Sequence, residues 1–202
     1  MTISISEIEQ SYLEISASLQ SIAKQLEANL VEAFAEFPHI DKISSRVKQR
    51  DSFLEKASKL NEDGSPRYPN PFREIQDILG ARIVVFYKSD VEEVKSKVHG
   101  LFQFVEHRDI VEDDVKKFGY EGTHFICHIP SFIHRDKSNH NVPYFFELQI
   151  KTLYQHAWAQ SQHGLGYKPN TPLPWEKERK IAFLAAQSWG ADEILMQLVL
   201  DQ

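Results

Sequence analysis

The sequence contains very little cysteine and no long apolar segment. Cys127 is the single cysteine among 202 residues, which excludes a framework of internal disulfides and indicates a reducing compartment. No apolar run approaches the roughly 20 residues that a membrane-spanning helix requires. The first residues, MTISISEIEQ, also lack the basic and then apolar pattern of a signal peptide. We therefore expect a cytoplasmic protein that does not use a membrane.

Several common catalytic and cofactor motifs are absent as well. The chain has no GxGxxG, Walker A or GxSxG sequence, so Rossmann, P-loop and serine-hydrolase functions lose their sequence support. Among its nine histidines, His124 and His128 share a predicted strand face, and His156 and His163 share a predicted helix face. Neither pair forms an HExxH or Cys/His zinc pattern. A structural zinc is therefore not favoured.

The net charge of −6 argues against a protein that coats nucleic acid by electrostatic attraction. The charge is nevertheless unevenly distributed. Residues 1–40 contain six glutamates and one lysine, whereas residues 41–59 contain six lysines or arginines and three acidic residues. A local basic segment in an acidic protein indicates a site for a compact anion, and the simpler alternative is a solvated helix face.

The hydrophobic pattern predicts helices packed on a mixed sheet. Apolar residues recur every three or four positions from Ile8 to Phe37, which predicts one long helix that stops near Pro38. The β-branched run at residues 81–87, ARIVVFY, is typical of a buried strand. The other predicted elements are a helix at 42–60, a loop at 61–74, a helix that starts at a capping box from Ser89 to Glu92, strands at 102–111, 123–129 and 144–151, and helices at 153–163 and 175–200. This order predicts one folded unit.

The basic segment SSRVKQRDSFLEK is the first candidate site. If it is helical, Arg46 and Arg50 lie one turn apart, and so do Ser52 and Lys56. Together with Lys48 they would form short polar rows. Such rows can hold a polyphosphate, whose charge requires several fixed donors.

Two carboxylates at strand ends are candidates for a Mg²⁺ site. Asp77 precedes the strand at 81–87, and Glu147 lies on a later strand, where Glu147, Gln149 and Lys151 share one face because strand side chains alternate. Oxygen ligands on rigid supports suit Mg²⁺, and phosphoryl transfer needs such carboxylates beside basic residues. The alternatives are a turn or cap aspartate and an ordinary half-buried strand.

The segment FGYEGTH contains a further candidate pair. Gly119 and Gly122 permit a tight turn that would expose Tyr120, and His124 begins the next strand. An exposed aromatic ring can stack on a nucleobase, which contributes roughly 1–3 kcal/mol. The alternative is a tyrosine that packs against its own hairpin.

Four of these segments, in their order and spacing, resemble the RelA/SpoT alarmone synthetase domain. They are SRVKQRDSFLEK, DILGARIVVFY, GYEGTH and FELQIKTLYQHAWAQSQHGLGYK, and the resemblance covers roughly residues 40–170. It implies an α+β fold that is similar to the nucleotidyltransferase fold, in which helices flank a mixed sheet of about five strands. It also implies a single synthetase domain over 1–202, with an N-terminal helix at 1–40, a catalytic core at 41–170, a C-terminal helix at 171–202 and no hydrolase domain.

The resemblance implies transfer of pyrophosphate from ATP to the 3′-hydroxyl of GDP or GTP, with release of AMP. In that family pattern Arg46 and Arg82 would embrace the adenine, and Lys48 and Lys56 would hold the ATP phosphates, with Ser52 nearby. The Mg²⁺ ligands would be Asp77 and Glu147, and Glu147 would also help to remove the proton of the attacking hydroxyl. The acceptor side would contain Tyr120, His124, Gln149 and Lys151.

The sequence departs from the family pattern on the acceptor side. Glu121 replaces the usual basic or amide residue, Gly122 replaces a serine, and Lys151 replaces an arginine. The QHAW segment also resembles toxic small synthetases, some of which pyrophosphorylate the 3′-CCA end of tRNA. The alternatives therefore include such a toxin with an antitoxin partner, and an inactive nucleotide-binding module. A homo-oligomer is a further alternative, and the sequence leaves the oligomeric state open.

Overall fold

The computed structural model describes residues 4–109, 120, 122–136, 138–164 and 174–201. These residues form one mixed sheet with flanking helices, which confirms the predicted α+β fold. The elements in chain order are α1 (Ile5–Ala33), β1 (Ile40–Val47), α2 (Arg50–Ala57), α3 (Pro71–Glu74), β2 (Leu79–Val85), α4 (Lys88–Leu101), β3 (Phe104–Asp109), β4 (Thr123–His128), β5 (Phe145–Thr152), α5 (Leu153–Gly164) and α6 (Trp175–Leu200). Within the described ranges, no helix combines the length and hydrophobicity needed to cross a membrane.

The sheet has the strand order β1-β2-β5-β4-β3. Strands β2 and β5 are parallel, and the other neighbouring pairs are antiparallel. The long chain segment between β2 and β5 contains α4 and the β3–β4 pair, as a parallel connection requires. The parallel strands β2 and β5 therefore end at the same edge of the sheet.

Helix α1 follows the predicted apolar pattern. Its first turn is closed by a capping box in which Ser4 and Glu7 each accept from the other's backbone N–H. The buried stripe contains Ile15, Leu19 and Leu26, and the helix packs against β1 and β2. Helix α1 thus covers one face of the sheet, and it ends at Ala33, before the predicted stop at Pro38.

The prediction of a helix over residues 42–60 is wrong for its first part. Residues Ile40–Val47 form β1, which pairs antiparallel with β2, and the helix is confined to Arg50–Ala57. The segment contains β-branched Ile43 and Val47, which favour a strand, and the open edge of β2 supplies its hydrogen-bond partners. Arg46 and Arg50 consequently do not lie one helical turn apart, whereas Ser52 and Lys56 do, on α2.

Helix α4 also starts differently from the prediction. It begins at Lys88, and the carboxylate of Asp90 accepts from the backbone N–H of Tyr87, so the cap is not the predicted pair of Ser89 and Glu92. The predicted loop at 61–74 contains the short helix α3, with Pro71 in its first turn.

The two faces of the sheet differ in polarity. On one face lies the main core, in which Ile83, Phe125 and Leu148 are fully buried beneath α1 and α4. The alternate residues of the same strands are the polar ones predicted from the sequence. A smaller cluster joins Tyr120 to Trp158 of α5 and Ala185 of α6. The polar face of the sheet therefore contains the candidate catalytic and binding residues of these strands.

Candidate active site

Neighbouring strands bring four polar side chains into two rows on the polar face. In one row Arg46 of β1 pairs with Gly80 of β2, which pairs with Glu147 of β5. In the next row Arg82 of β2 pairs with Gln149 of β5. These side chains surround a cavity of about 190 Å³, whose lining is Ser44, Ser45, Arg46, Gly80, Ala81, Arg82, Glu147, Gln149 and Gln160.

Gly80 lies against the side chain of Arg46 in the lining of this cavity. A Cβ atom at position 80 would stand 3.5 Å from Cγ and 3.6 Å from Nε of Arg46, which is ordinary van der Waals contact. Arg46 and Arg82 lie on adjacent strands of one face, and the charge of Arg46, after burial, contributes to lowering the pKa of Arg82.

Asp77 stands between two lysines at the end of β1 and on α2. Lys48 donates to Oδ2 of Asp77 at 2.8 Å, and Lys56 donates to Oδ1 at 3.0 Å. The position of Lys48 is set by its backbone N–H, which donates to the carbonyl of Ile78 at 2.8 Å. The three residues form a charged cluster of mostly covered side chains beside the cavity.

Glu147 is held by donors on both of its oxygens. His124 of β4 contacts Oε1 through Nδ1 at 3.1 Å, and the amide of Gln149 donates to Oε2 at 2.8 Å. The carbonyl of Gln149 in turn accepts from Nε and Nη2 of Arg82, and Nη1 of Arg82 donates to Nδ1 of His156 on α5. This network fixes the orientation of the carboxylate before any ligand binds.

Both carboxylates remain ionised although they are largely buried. Burial acts to raise the pKa of Asp77, but the hydrogen bonds and charges of Lys48 and Lys56 outweigh it and hold that pKa below its usual value. The pKa of Glu147 is also lowered: burial again opposes, His124 and Gln149 favour the ionised form, and the charge of Asp77 acts against it. The charge of Asp77 is the smallest of these influences on the pKa of Glu147, which is consistent with two carboxylates that lie within electrostatic reach of each other.

The donor set fits a hydrated Mg²⁺ ion. Mg²⁺ is commonly held in proteins by one or two carboxylates, together with substrate phosphates and water. Asp77 and Glu147 supply two ionised carboxylates. No cluster of three or more His, Cys, Asp or Glu side chains suited to a metal occurs in the part of the chain that the structure describes. The residues present therefore suit a cation that arrives with a phosphate ligand better than a permanently bound metal.

The structure contradicts the prediction that the turn exposes Tyr120. Only 7% of Tyr120 is exposed, and its hydroxyl donates to the carboxylate of Asp192 on α6. Helix α6 comes late in the chain, so the local turn pattern contained no indication of this contact. The neighbouring Gly119 and Glu121, which entered the prediction, lie outside the described residues.

The other predicted residues divide between the cavity and its surroundings. Lys151 is 4% exposed, and its Cγ lies close to the backbone of Gly122. Ser52 is exposed on α2, on the same face of the helix as Lys56. Arg50, part of the predicted basic rows, forms ion pairs with Glu9 and Asp51 on the surface instead.

Several cavity residues had no signal in the sequence. Ser44 and Ser45 lie in the segment predicted as a helix, so their place in the cavity depends on β1 being a strand. His156 belongs to the QHAW segment, but its contact with Arg82 follows from the packing of α5 on β2. The strand assignment of residues 40–47 is the signal that could have identified the two serines.

Comparison with known proteins identifies a family for most of this region. A family profile described as "Region found in RelA / SpoT proteins" matches residues 45–172, which include nearly all of the cavity residues. Among curated proteins, the GTP pyrophosphokinase YjbM of Bacillus subtilis (strain 168) is 28% identical over 164 residues. That alignment covers 79% of this chain and 72% of YjbM.

Solved structures with the same fold include small alarmone synthetase 1 from Bacillus subtilis. The similarity has a TM-score of 0.76 at 22% identity and covers 94% of this chain and 96% of the other. The same synthetase bound to its product pppGpp gives a TM-score of 0.75 at 23% identity, with 95% and 98% covered. The sheet and its flanking helices therefore have the arrangement seen in these proteins.

Proposed function

Because this chain belongs to the RelA/SpoT family, we propose that it is an ATP-dependent pyrophosphokinase that makes (p)ppGpp. It would transfer the β,γ-pyrophosphate of ATP to the 3′-hydroxyl of GDP or GTP and release AMP. The observation that carries the proposal is the charged cluster of Asp77 with Lys48 and Lys56, beside a cavity that contains Glu147. The name of YjbM, GTP pyrophosphokinase, supports the same reaction.

The ATP side of the site would use the residues of β1, α2 and β2. Arg46 and Arg82 line the cavity from adjacent strands, and two guanidinium planes can stack on or flank an adenine ring. The ammonium groups of Lys48 and Lys56 now donate to the carboxylate of Asp77. When ATP binds, they would donate to its phosphate oxygens instead. Ser52, one turn from Lys56, would add a hydroxyl donor.

Asp77 and Glu147 would hold the Mg²⁺ ion that accompanies the triphosphate. When bound, the cation would neutralise charge on the transferring phosphoryl groups. The protein's own contribution is positioning. His124 and Gln149 orient Glu147, and the lowered pKa keeps this carboxylate ionised and able to accept the proton of the 3′-hydroxyl.

The acceptor would lie toward β4. Nε2 of His124 is buried and has no hydrogen-bond partner among the described residues, so it is available to a ligand. Gln149 and Lys151 extend the same face of β5 beyond Glu147. These groups suit the ribose and phosphates of a guanosine nucleotide. The ring of Tyr120 would stack on the base of this acceptor.

The proposal is tested by following the label of γ-labelled ATP. The purified protein is incubated with labelled ATP, Mg²⁺ and GDP, GTP or deacylated tRNA in parallel, and products are separated by chromatography. Label on GDP or GTP is expected. Label on tRNA alone would contradict the proposal in favour of a translation-blocking toxin. Label on none of them, with ATP still bound, would indicate an inactive binding module.

Two aspartate variants make this experiment specific. Asp77→Asn removes the charge between Lys48 and Lys56 and should abolish labelling. Asp51→Asn is the matched control, because Asp51 is exposed and pairs with Arg50 outside the cavity. Equal activity of both variants would contradict the assignment of Asp77.

A further inference from the structure

Tyr120 is tied to the C-terminal helix by a buried hydrogen-bond cluster. The carboxylate oxygen Oδ2 of Asp192 accepts from the hydroxyl of Tyr120 and from the hydroxyl of Thr152, the last residue of β5. Asp192 and Thr152 have no exposed surface. The cluster thus joins α6, the end of β5 and Tyr120, which lies three positions before β4.

The ring of Tyr120 has no face free to receive a base. Tyr120 packs with Trp158 of α5 and Ala185 of α6, and 7% of the residue is exposed. A stacking platform must present most of one ring face to its ligand. The ring therefore has to leave this position before it can stack on an acceptor base.

Gly122, two positions after Tyr120, lies unusually close to β5. A Cβ atom at position 122 would overlap the carbonyl oxygen of Ile150 and would stand 2.7 Å from Cγ of Lys151. Because the overlap is with a backbone atom, a side chain at this position would require residue 122 to move away from β5.

The part of α6 that contacts Tyr120 is polar, and its hydrogen-bonding groups are not all paired among the described residues. The buried residues of α6 are small or polar, namely Ala185, Ser188 and Asp192. The second carboxylate oxygen of Asp192, Oδ1, is buried and has no partner among the described residues. Release of Tyr120 would leave Oδ2 with the hydroxyl of Thr152 as its donor among the described residues, so moving the ring away costs about the free energy of one hydrogen bond to a charged group. Burial also raises the pKa of Asp192.

We propose that Asp192 is a positioning residue that lowers acceptor affinity by holding Tyr120 away from the acceptor. The inference rests on the proposed pyrophosphokinase function. Acceptor binding then competes with the Tyr120–Asp192 hydrogen bond. A partner or ligand that displaces α6 would therefore change the affinity for GDP or GTP. ATP binding is not part of this competition, because the adenine and phosphate residues lie on β1, α2 and β2.

The experiment compares Tyr120→Phe with the wild type by steady-state kinetics. The variant keeps the ring and loses the hydroxyl, so KM for GDP or GTP should fall about tenfold, the size expected for one hydrogen bond to a charged group. KM for ATP should not change. Ser188→Ala is the matched control, since Ser188 is buried on the same face of α6 and donates to the carbonyl of Leu184 within the helix.

Asp192→Asn provides a second variant with the same shape. Its amide oxygen still accepts from Tyr120 but without the charge, so a smaller decrease in acceptor KM is expected. Amide hydrogen exchange of residues 185–195 should increase when GDP or GTP is added to the wild type, because α6 loses the contact.

The outcomes separate this inference from the proposed function. Product formation with an unchanged or raised acceptor KM in Tyr120→Phe would overturn the role of Asp192 alone. Product made by Tyr120→Phe but not by the wild type would support both. No product from any variant with any acceptor would overturn the proposed function and this inference together.

Discussion

Asp77 and Glu147 reach the site from distant parts of the chain, and each is kept ionised by different neighbours. Two lysine ammonium groups compensate Asp77, whereas a histidine and an amide compensate Glu147. In the proposed complex a Mg²⁺ ion would take the place of the lysines at Asp77, and phosphate oxygens would take the place of Asp77 at the lysines, so that no buried charge is left unpaired.

Asp77→Asn should lower kcat by about 10²- to 10³-fold, the range found when one group that stabilises the transition state is removed. The amide cannot neutralise the two lysine ammonium groups at 2.8 and 3.0 Å. Circular dichroism should show an unchanged fold. Turnover close to that of the wild type would argue against a metal or phosphate role for Asp77.

Arg46→Ala should raise KM for ATP about tenfold, because stacking and bidentate contacts to the nucleotide are lost together. KM for the acceptor should change much less. Arg50→Ala serves as the control, since Arg50 pairs with Glu9 and Asp51 on the surface. Equal effects of the two variants on KM for ATP would contradict the placement of Arg46 at the adenine.

Gly122→Ser should destabilise the fold by about 1–3 kcal/mol, because its Cβ would overlap the backbone of Ile150. Residue 122 must then move away from β5, and because Tyr120 is two positions before it, we expect the contact with Asp192 to weaken and KM for the acceptor to fall as well. Thermal unfolding and acceptor titration measure the two effects. An unchanged Tm with unchanged acceptor KM would contradict the close packing of this segment.

At the scale of elements, strand β1 decides whether the site exists. It places Ser44, Ser45 and Arg46 in the cavity, and α1 holds it in place through Glu27. Oε2 of Glu27 accepts from the backbone N–H of Ser45 at 2.6 Å and from its hydroxyl at 3.1 Å. The hydroxyl of Ser45 also donates to the carbonyl of Ala23. The N-terminal helix thus supports the β1 side of the cavity, where we propose that ATP binds, from the opposite face of the sheet.

Glu27→Ala should lower the free energy of unfolding by about 1–2 kcal/mol and weaken ATP binding, because the N–H of Ser45 loses its acceptor. Denaturant unfolding and ATP titration check both effects. Glu14→Ala is the control, as Glu14 lies on the exposed face of the same helix and contacts Gln10. Loss of stability without any change in ATP affinity would show that β1 keeps its position without α1.

At the scale of the whole molecule, ATP should stabilise the fold, because its proposed binding residues come from β1 and β2, which pair in the sheet, and from α2, which packs on α1. With Mg²⁺ and ATP at about 100 times Kd, linkage gives about 2.7 kcal/mol. For a chain of 202 residues this corresponds to a rise in Tm of about 5–10 °C. Arg46→Ala should reduce the shift at the same ATP concentration. No shift in the wild type would contradict an ATP site.

The sequence predicted most elements with regular periodicity. Helix α1, strand β2 and strand β5 occur where the apolar pattern placed them, because burial on one face imposes a period that is visible in the residues. The pattern failed at β1, whose residues are only partly buried at the sheet edge and therefore show neither period clearly. Its strand conformation depends on hydrogen bonds to β2, which no local pattern contains.

By itself, the sequence determined most of the elements and the residue types of the site, with β1 as the exception. The alternation of side chains along β5 is enough to place Glu147, Gln149 and Lys151 on one face. Only the tertiary structure decided which distant residues meet: Arg46 beside Gly80, Asp77 between two lysines, and Tyr120 against Asp192, which is 72 positions away. The physical reason is that periodicity records which side of an element is buried, whereas partners are set by the register of strands and the docking of helices.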